Sequence, residues 1–245
     1  MKALRLSDHR ARRFHLTAED YGLHEEPEYQ PSGHIKREVW KSLVTLPDNV
    51  ALRTTDNYSR SVETLHRLVW SWLDIHDELP NRTPMQMQSM SVLECFDGAV
   101  FNAVHGWYRI AGIMLRCAFE DMLIGLFYQH QKARWPEYKE VVSGKRRSPG
   151  RKDMDRQLLT FVPSALLSQA NALYQDELSA YMHRISENQI WQSNGPNFTP
   201  EALDVWIAQC GRAYKMLCDL IECAEPGSKV GKIASAIGFE RSSEA

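Results

Sequence analysis

The chain has no run of the roughly 18 to 20 apolar residues that a bilayer span needs, and its opening stretch MKALRLSDHRARRFHL contains no apolar core of signal-peptide length. A soluble, cytoplasmic protein with no membrane partner is expected. Phosphate loops, dinucleotide-binding glycine motifs and the Gly-x-Ser-x-Gly of serine hydrolases are all missing. The nine histidines supply no His-x-x-x-His pair and there is no Cys-x-x-Cys, so no metal and no cofactor is called for. His76-Asp77-Glu78 reads as a solvated cluster at a helix end. Nor is there an excess of positive charge: a net charge of -2 removes the whole-protein case for nucleic-acid binding and leaves RNA as a partner only through a local site. The five cysteines, Cys95, Cys117, Cys210, Cys218 and Cys223, are odd in number. Four of them sit in amphipathic segments as small apolar residues do, which fits reduced thiols. Strand-like alternation and internal repeats are absent as well.

What remains is helical periodicity, and it predicts an all-α helical bundle. Residues 1–33 read as an Arg-rich, then acidic and Pro-bearing arm, residues 34–230 as the bundle, and residues 231–245 as a flexible tail. Leu65, Leu68, Val69, Trp72, Leu73 and Ile75 recur at helical spacing within about Ser59–Leu79, ending before Pro80. The centre of the molecule is Met87–Gln131, with a break expected near Gly106. Placing residues 100–127 at about 100° each puts Val100, Phe101, Val104, Ala111, Leu115, Ala118, Phe119 and Met122 on one buried arc. Trp135–Val142 predicts a short helix, SGKRRSPGRKD an exposed loop, and Pro163–His183 and Thr199–Cys223 two further helices. Thr199 is the expected cap of the last, Pro200 its first turn, and Pro226 and Gly227 its stop.

The arc beside the apolar one carries His105, Arg109, Arg116 and Glu120. Charges in such a segment should be paired, either as an ion pair that sets helix register or as an interior pocket. In the pocket reading Arg109 and Arg116 hold an anionic group while His105 or Glu120 moves a proton. The basic cluster Lys145, Arg146, Arg147, Arg151 and Lys152, with Arg10, Arg12 and Arg13, reads as solvated, or as a contact for RNA, DNA or an acidic partner. A protein partner or a homo-oligomer is also expected; Trp70, Trp72 and Trp206 would furnish the interface of a homodimer.

At GWYRIAGIMLRCAFEDMLIG the positions Gly106, Tyr108, Arg109, Ala111, Leu115, Arg116 and Glu120 resemble a pattern of all-helical bacterial and phage proteins. Leu178, Ser179, Tyr181 and His183, followed by Trp191, Ser193, Asn194, Gly195 and Pro196, resemble that group's C-terminal half. The group is distantly similar to HEPN-like bundles, many of which belong to toxin–antitoxin and phage-defence systems. The resemblance implies an HEPN-like helical component with binding, regulatory or structural work. Tyr108, Trp191, Ser193 and Asn194 then join His105 as binding positions. The alternative it implies is a metal-independent ribonuclease, with His183 as general acid/base and Arg109 or Arg116 stabilising the phosphorane. Glu120 is the remaining candidate for a catalytic role. The Arg-x4-6-His spacing of HEPN nucleases is not met at His183, whose upstream window Asp176–Leu178 holds no arginine. It occurs instead at Arg10–His15 and Arg60–His66.

Overall fold

The computed structural model describes Val39, residues 41–182 and residues 196–237. Two compact units divide the chain after Leu46. Of the first, Val39, a π-helical turn Lys41–Thr45 and Leu46 are described. The predicted arm 1–33 lies outside the described residues. The described residues form helices joined by turns and loops, and no strand. The helices are α1 (Leu46–Asn57), α2 (Ser59–Glu78), α3 (Pro84–Val104), α4 (Tyr108–Gln129), α5 (Trp135–Val142), α6 (Arg151–Leu158), α7 (Ser164–Ala172), α8 (Pro200–Ala224) and α9 (Val230–Ser235). A π-helical turn Leu173–Glu177 and a 3₁₀ turn Leu178–Tyr181 follow α7.

The second unit is organised on α3 and α4, an antiparallel pair whose apolar residues run all round rather than along one stripe, as helices covered on several sides require. On them pack α2 and α8. Trp72, Phe96 and Tyr214 meet at its heart, with ring centres 5.3 to 6.0 Å apart, Tyr214 edge-to-face with the other two and Trp72 tilted against Phe96. Each such ring contributes on the order of 2 kcal/mol by leaving water, more than any exposed ion pair here can supply. The polar atoms of these rings are satisfied: Trp72 Nε1 donates to the Ser89 carbonyl at 2.9 Å, and the Tyr214 hydroxyl bonds Ser71 Oγ at 2.7 Å. A smaller cluster of Phe127, Tyr128, Tyr138 and Val141 fastens α5 to the end of α4.

Helix ends follow the local chemistry. Thr83 caps α3 by accepting the Gln86 amide at 3.3 Å, with Pro84 in the first turn. The free Met85 amide of the same turn is taken by Gln129 Oε1 of α4 at 3.2 Å. At the predicted break Gly106 adopts φ +78°, its amide bonding Ala103 and that of Trp107 bonding Asn102, the paired bonds of a Schellman stop. The backbone of Asn197 lies where a side chain at Gly106 would project.

Several expectations need correction. Because the helix stops at 104 and restarts at 108, one phase cannot run through residues 100–127, and Phe101 is 60% exposed instead of buried. Thr199 stands at the N-cap of α8 but its side chain makes no capping bond. Arg151 and Lys152 open a helix, α6, rather than closing a loop. Residues 231–235, read as tail, continue α9, and Ile237 beyond them is buried. Trp72 and Trp206 are wholly inside this chain's own core and so cannot furnish a subunit interface; Trp70 is half-buried on α2, its Nε1 3.0 Å from His66 Nε2.

The two core tryptophans differ in one respect that stability measurements can read. Trp206 Nε1 is buried without an acceptor among the described residues, whereas Trp72 Nε1 is bonded. Trp206→Phe removes an unsatisfied donor along with volume, and Trp72→Phe removes a hydrogen bond along with volume. Denaturant titration should therefore find Trp72→Phe the more destabilising, by on the order of 1 kcal/mol; equal losses would contradict the assignment of the two indoles.

Candidate functional site

Arg109, Gly112, Arg116 and Glu120 follow one another on α4 at spacings of three, four and four, which sets them on a single stripe. Against that stripe lies the irregular segment 173–181. Gly112 has no side chain, and the ring of Tyr181 occupies the place a Cβ would take. Tyr181 is buried, and its hydroxyl donates to Gln209 Oε1 of α8. Arg109 Nε donates at 3.0 Å to the carbonyl of the same residue.

One turn further along, Arg116 Nε donates to Glu120 Oε1 at 3.0 Å and its terminal amine to the Tyr174 hydroxyl at 2.9 Å. Tyr174 closes the triangle by donating to Glu120 Oε1. Arg116 is 19% exposed in its side chain and Glu120 41%, so the triangle sits at the rim of the core and is neither sealed nor free in water. Burial, reinforced by the Glu120 bond, raises the pKa of Tyr174, so the hydroxyl stays a donor. Burial works against the charge of Arg116, but Tyr174 and Glu120 together hold its pKa above the ordinary value. A second guanidinium attends the same ring: Arg151 Cζ lies 4.8 Å from the Tyr174 centroid and Arg116 Cζ 5.1 Å. Arg151 also faces Asp155 Oδ1 at 3.1 Å, as an ion pair without hydrogen-bond alignment, and donates to Asn171 Oδ1.

The structure thus brings together Arg116 and Glu120, adds Tyr174 and Arg151 to them, and places Arg109 at Tyr181. His105 is engaged elsewhere, with Nδ1 2.7 Å from the Phe101 carbonyl and its ring tilted against that of Phe101, centres 4.1 Å apart. Tyr108 is buried and accepts the Thr199 amide at 3.2 Å, tying the start of α4 to the start of α8. His183, Trp191, Ser193 and Asn194 lie outside the described residues, as does Arg10–His15. Arg60 is exposed on α2, one and a half turns from His66. Among the described residues no three His, Cys, Asp or Glu side chains are placed to hold a metal ion, and none of their helices is long and apolar enough to cross a membrane.

Tyr174 and Arg151 carry no sequence signal that separates them from ordinary surface residues. The local signal for the notch that Tyr181 fills is Gly112 itself, a glycine inside an otherwise apolar helix, three residues after Arg109 and four before Arg116. A second site shows in the sequence only as the basic run at 145–152, because its members come from five segments. A cleft of about 390 Å³ opens between the end of α4, the 3₁₀ turn Lys132–Arg134, α5, the loop 143–150 and α6. Glu137 organises it. The carboxylate accepts Arg134 at 2.9 and 2.6 Å and Tyr128 Oη at 2.9 Å, with Arg146 at 3.5 Å. Arg134 in turn lies over the rings of Phe127 and Tyr128, 4.9 and 5.5 Å from their centres. The loop above is aimed by Gly144, at φ +73°, whose amide bonds Val141 while that of Lys145 bonds Glu140, so a Schellman stop directs Arg146 and Arg147 over the cleft.

The hydrogen bonds from Arg134, then Tyr128, hold the Glu137 carboxyl down at about 2, against the ordinary 4.5. A depressed carboxylate pKa adds stability that is complete above the unfolded value and disappears as pH falls through the folded one. Glu137→Gln should therefore destabilise at pH 7 by on the order of 1 kcal/mol, and the difference from wild type should close between pH 4.5 and about 2. A gap that stays constant in denaturation curves across that interval would contradict the assignment. No family model, curated protein or solved structure matches the chain, so its functional reading rests on these two clusters.

Proposed function

We propose that the chain is a binding or regulatory component rather than a hydrolase, a helical scaffold that presents surfaces to a partner or ligand. The observation that carries this reading is the closure of the α4 stripe. Glu120 Oε1 already accepts Arg116 and Tyr174, and Arg109 already serves the Tyr181 carbonyl. A general base needs an uncommitted lone pair within reach of substrate, and a phosphorane-stabilising arginine needs uncommitted donors aimed at it. Here Glu120 Oε1, Arg109 Nε, and Arg116 through Nε and one terminal amine are engaged in holding segment 173–181, which favours a structural use of the stripe. The finer assignment, an HEPN-like bundle in a bacterial or phage conflict system such as phage defence or a toxin–antitoxin pair, rests on the resemblance at Gly106–Glu120 and is part of the proposal.

One observation favours the alternative, metal-independent RNA cleavage: Arg109 contacts the backbone of Tyr181, two residues before His183 in the chain. The two readings separate in one assay. Purified protein is incubated with total RNA in EDTA beside a His183→Ala variant. The binding reading predicts intact RNA in both lanes. Cleavage by wild type that His183→Ala abolishes would overturn it in favour of the ribonuclease.

A further inference from the structure

The Glu137 cleft carries more positive charge than its own acids can balance. Four arginines line it, Arg134, Arg146, Arg147 and Arg156, against two carboxylates, Glu137 and Asp153. Glu137 is paired chiefly with Arg134, and Asp153 with Arg156 at 3.6 Å. Setting those two pairs aside leaves two guanidinium groups, Arg146 and Arg147, without a carboxylate of their own. Arg146 reaches Glu137 with one amine at 3.5 Å and is 53% exposed, while Arg147 has no ion-pair partner among the described residues. Such a pair would cost little if the two side chains were splayed into water. Here the Schellman stop at Gly144 anchors the loop, and both, though exposed to solvent, are gathered on one concave wall.

We propose that this cleft binds a small phosphorylated ligand, a phosphate monoester or diphosphate, through Arg146 and Arg147, with Arg134 held as its floor by Glu137 and the Phe127 ring. Planar forks of donors suit tetrahedral phosphate oxygens better than a point charge does, and two uncompensated charges match a phosphate dianion. The volume of about 390 Å³ falls within the range of small-molecule sites. Ser148 adds a hydroxyl to the same wall. A nucleic-acid strand is the less suitable occupant. The chain as a whole is negative, and the arginines are gathered in one pit rather than laid along a track. The proposal deepens the binding reading above by naming ligand chemistry for it.

The test uses the full-length chain and calorimetric titration with pyrophosphate, inorganic phosphate and a single-stranded RNA oligonucleotide, at low and at raised salt. Wild type should bind pyrophosphate in the micromolar to low-millimolar range, more tightly than phosphate and more weakly as salt rises. Arg147→Ala should weaken pyrophosphate about tenfold and Arg146→Ala/Arg147→Ala should abolish it. Arg147→Lys, which keeps the charge and loses the fork, should fall between. Arg147 is exposed and makes no contact the fold depends on, so its variants should keep the wild-type circular dichroism. Absence of pyrophosphate binding by wild type, equal binding by the double variant, or RNA bound through Arg147 where pyrophosphate is not, would each overturn the proposal. RNA cleavage dependent on His183 would refute the binding reading while leaving a pyrophosphate site at Arg147 intact, so the two failures are distinguishable.

Discussion

The arrangement depends on a chain segment that cannot hold itself. Residues 173–181 run as a π turn and then a 3₁₀ turn, neither of which propagates far on its own hydrogen bonds. Their geometry is imposed from α4. Gly112 admits the Tyr181 ring, Arg109 meets that residue's carbonyl, and Arg116 with Glu120 grips the Tyr174 hydroxyl. Buried aromatic area supplies most of the energy, since Tyr181 and Phe119 are fully covered. The polar contacts supply direction. An aromatic ring alone would be satisfied in several orientations, whereas a hydroxyl that must both accept from Arg116 and donate to Glu120 fits in one.

From that grip the structure extends to the cleft. Arg151, first residue of α6, is seated by the Tyr174 ring, Asn171 and Asp155, and two residues later Asp153 begins the α6 wall of the cleft. The opposite wall is set from α4 by other means, through Phe127 and Tyr128, which carry Arg134 and Glu137. The loop bearing Arg146 and Arg147 spans the two. One helix therefore positions both walls, with paired charges used for construction on one side and unpaired charges left facing solvent on the other. The same residue type serves opposite ends because a guanidinium's role is set by whether its donors are already taken.

The architecture was legible to the extent that periodicity dictates it. The stretches read at 59–79, 135–142 and 199–223 reappear as α2, α5 and α8 within a residue or two, and the break at Gly106 follows from a glycine able to take positive φ. Phase failed where it was carried across that break, which is why Phe101 was misplaced. The i, i+4 spacing of Arg116 and Glu120 announced a pair. Nothing local could announce Tyr174, 54 residues from Glu120 and fixed only by tertiary packing. The basic run at 145–152 was visible as charge, but its division into an anchoring Arg151 and ligand-facing Arg146 and Arg147 depends on where α6 begins, and a Pro-Gly pair amid like charges gives no helical period to read.

The central claim is that the α4 stripe and Tyr174 act as a unit, and a double-mutant cycle addresses it most directly. Arg116→Met, Tyr174→Phe and the double variant would be compared by denaturant unfolding. A shared, partly buried hydrogen-bond network predicts a coupling energy of roughly 0.5–3 kcal/mol between the two positions. Single-variant losses that simply add, to within about 0.3 kcal/mol, would mean that Arg116 and Tyr174 do not hold one another and that segment 173–181 is placed by something else.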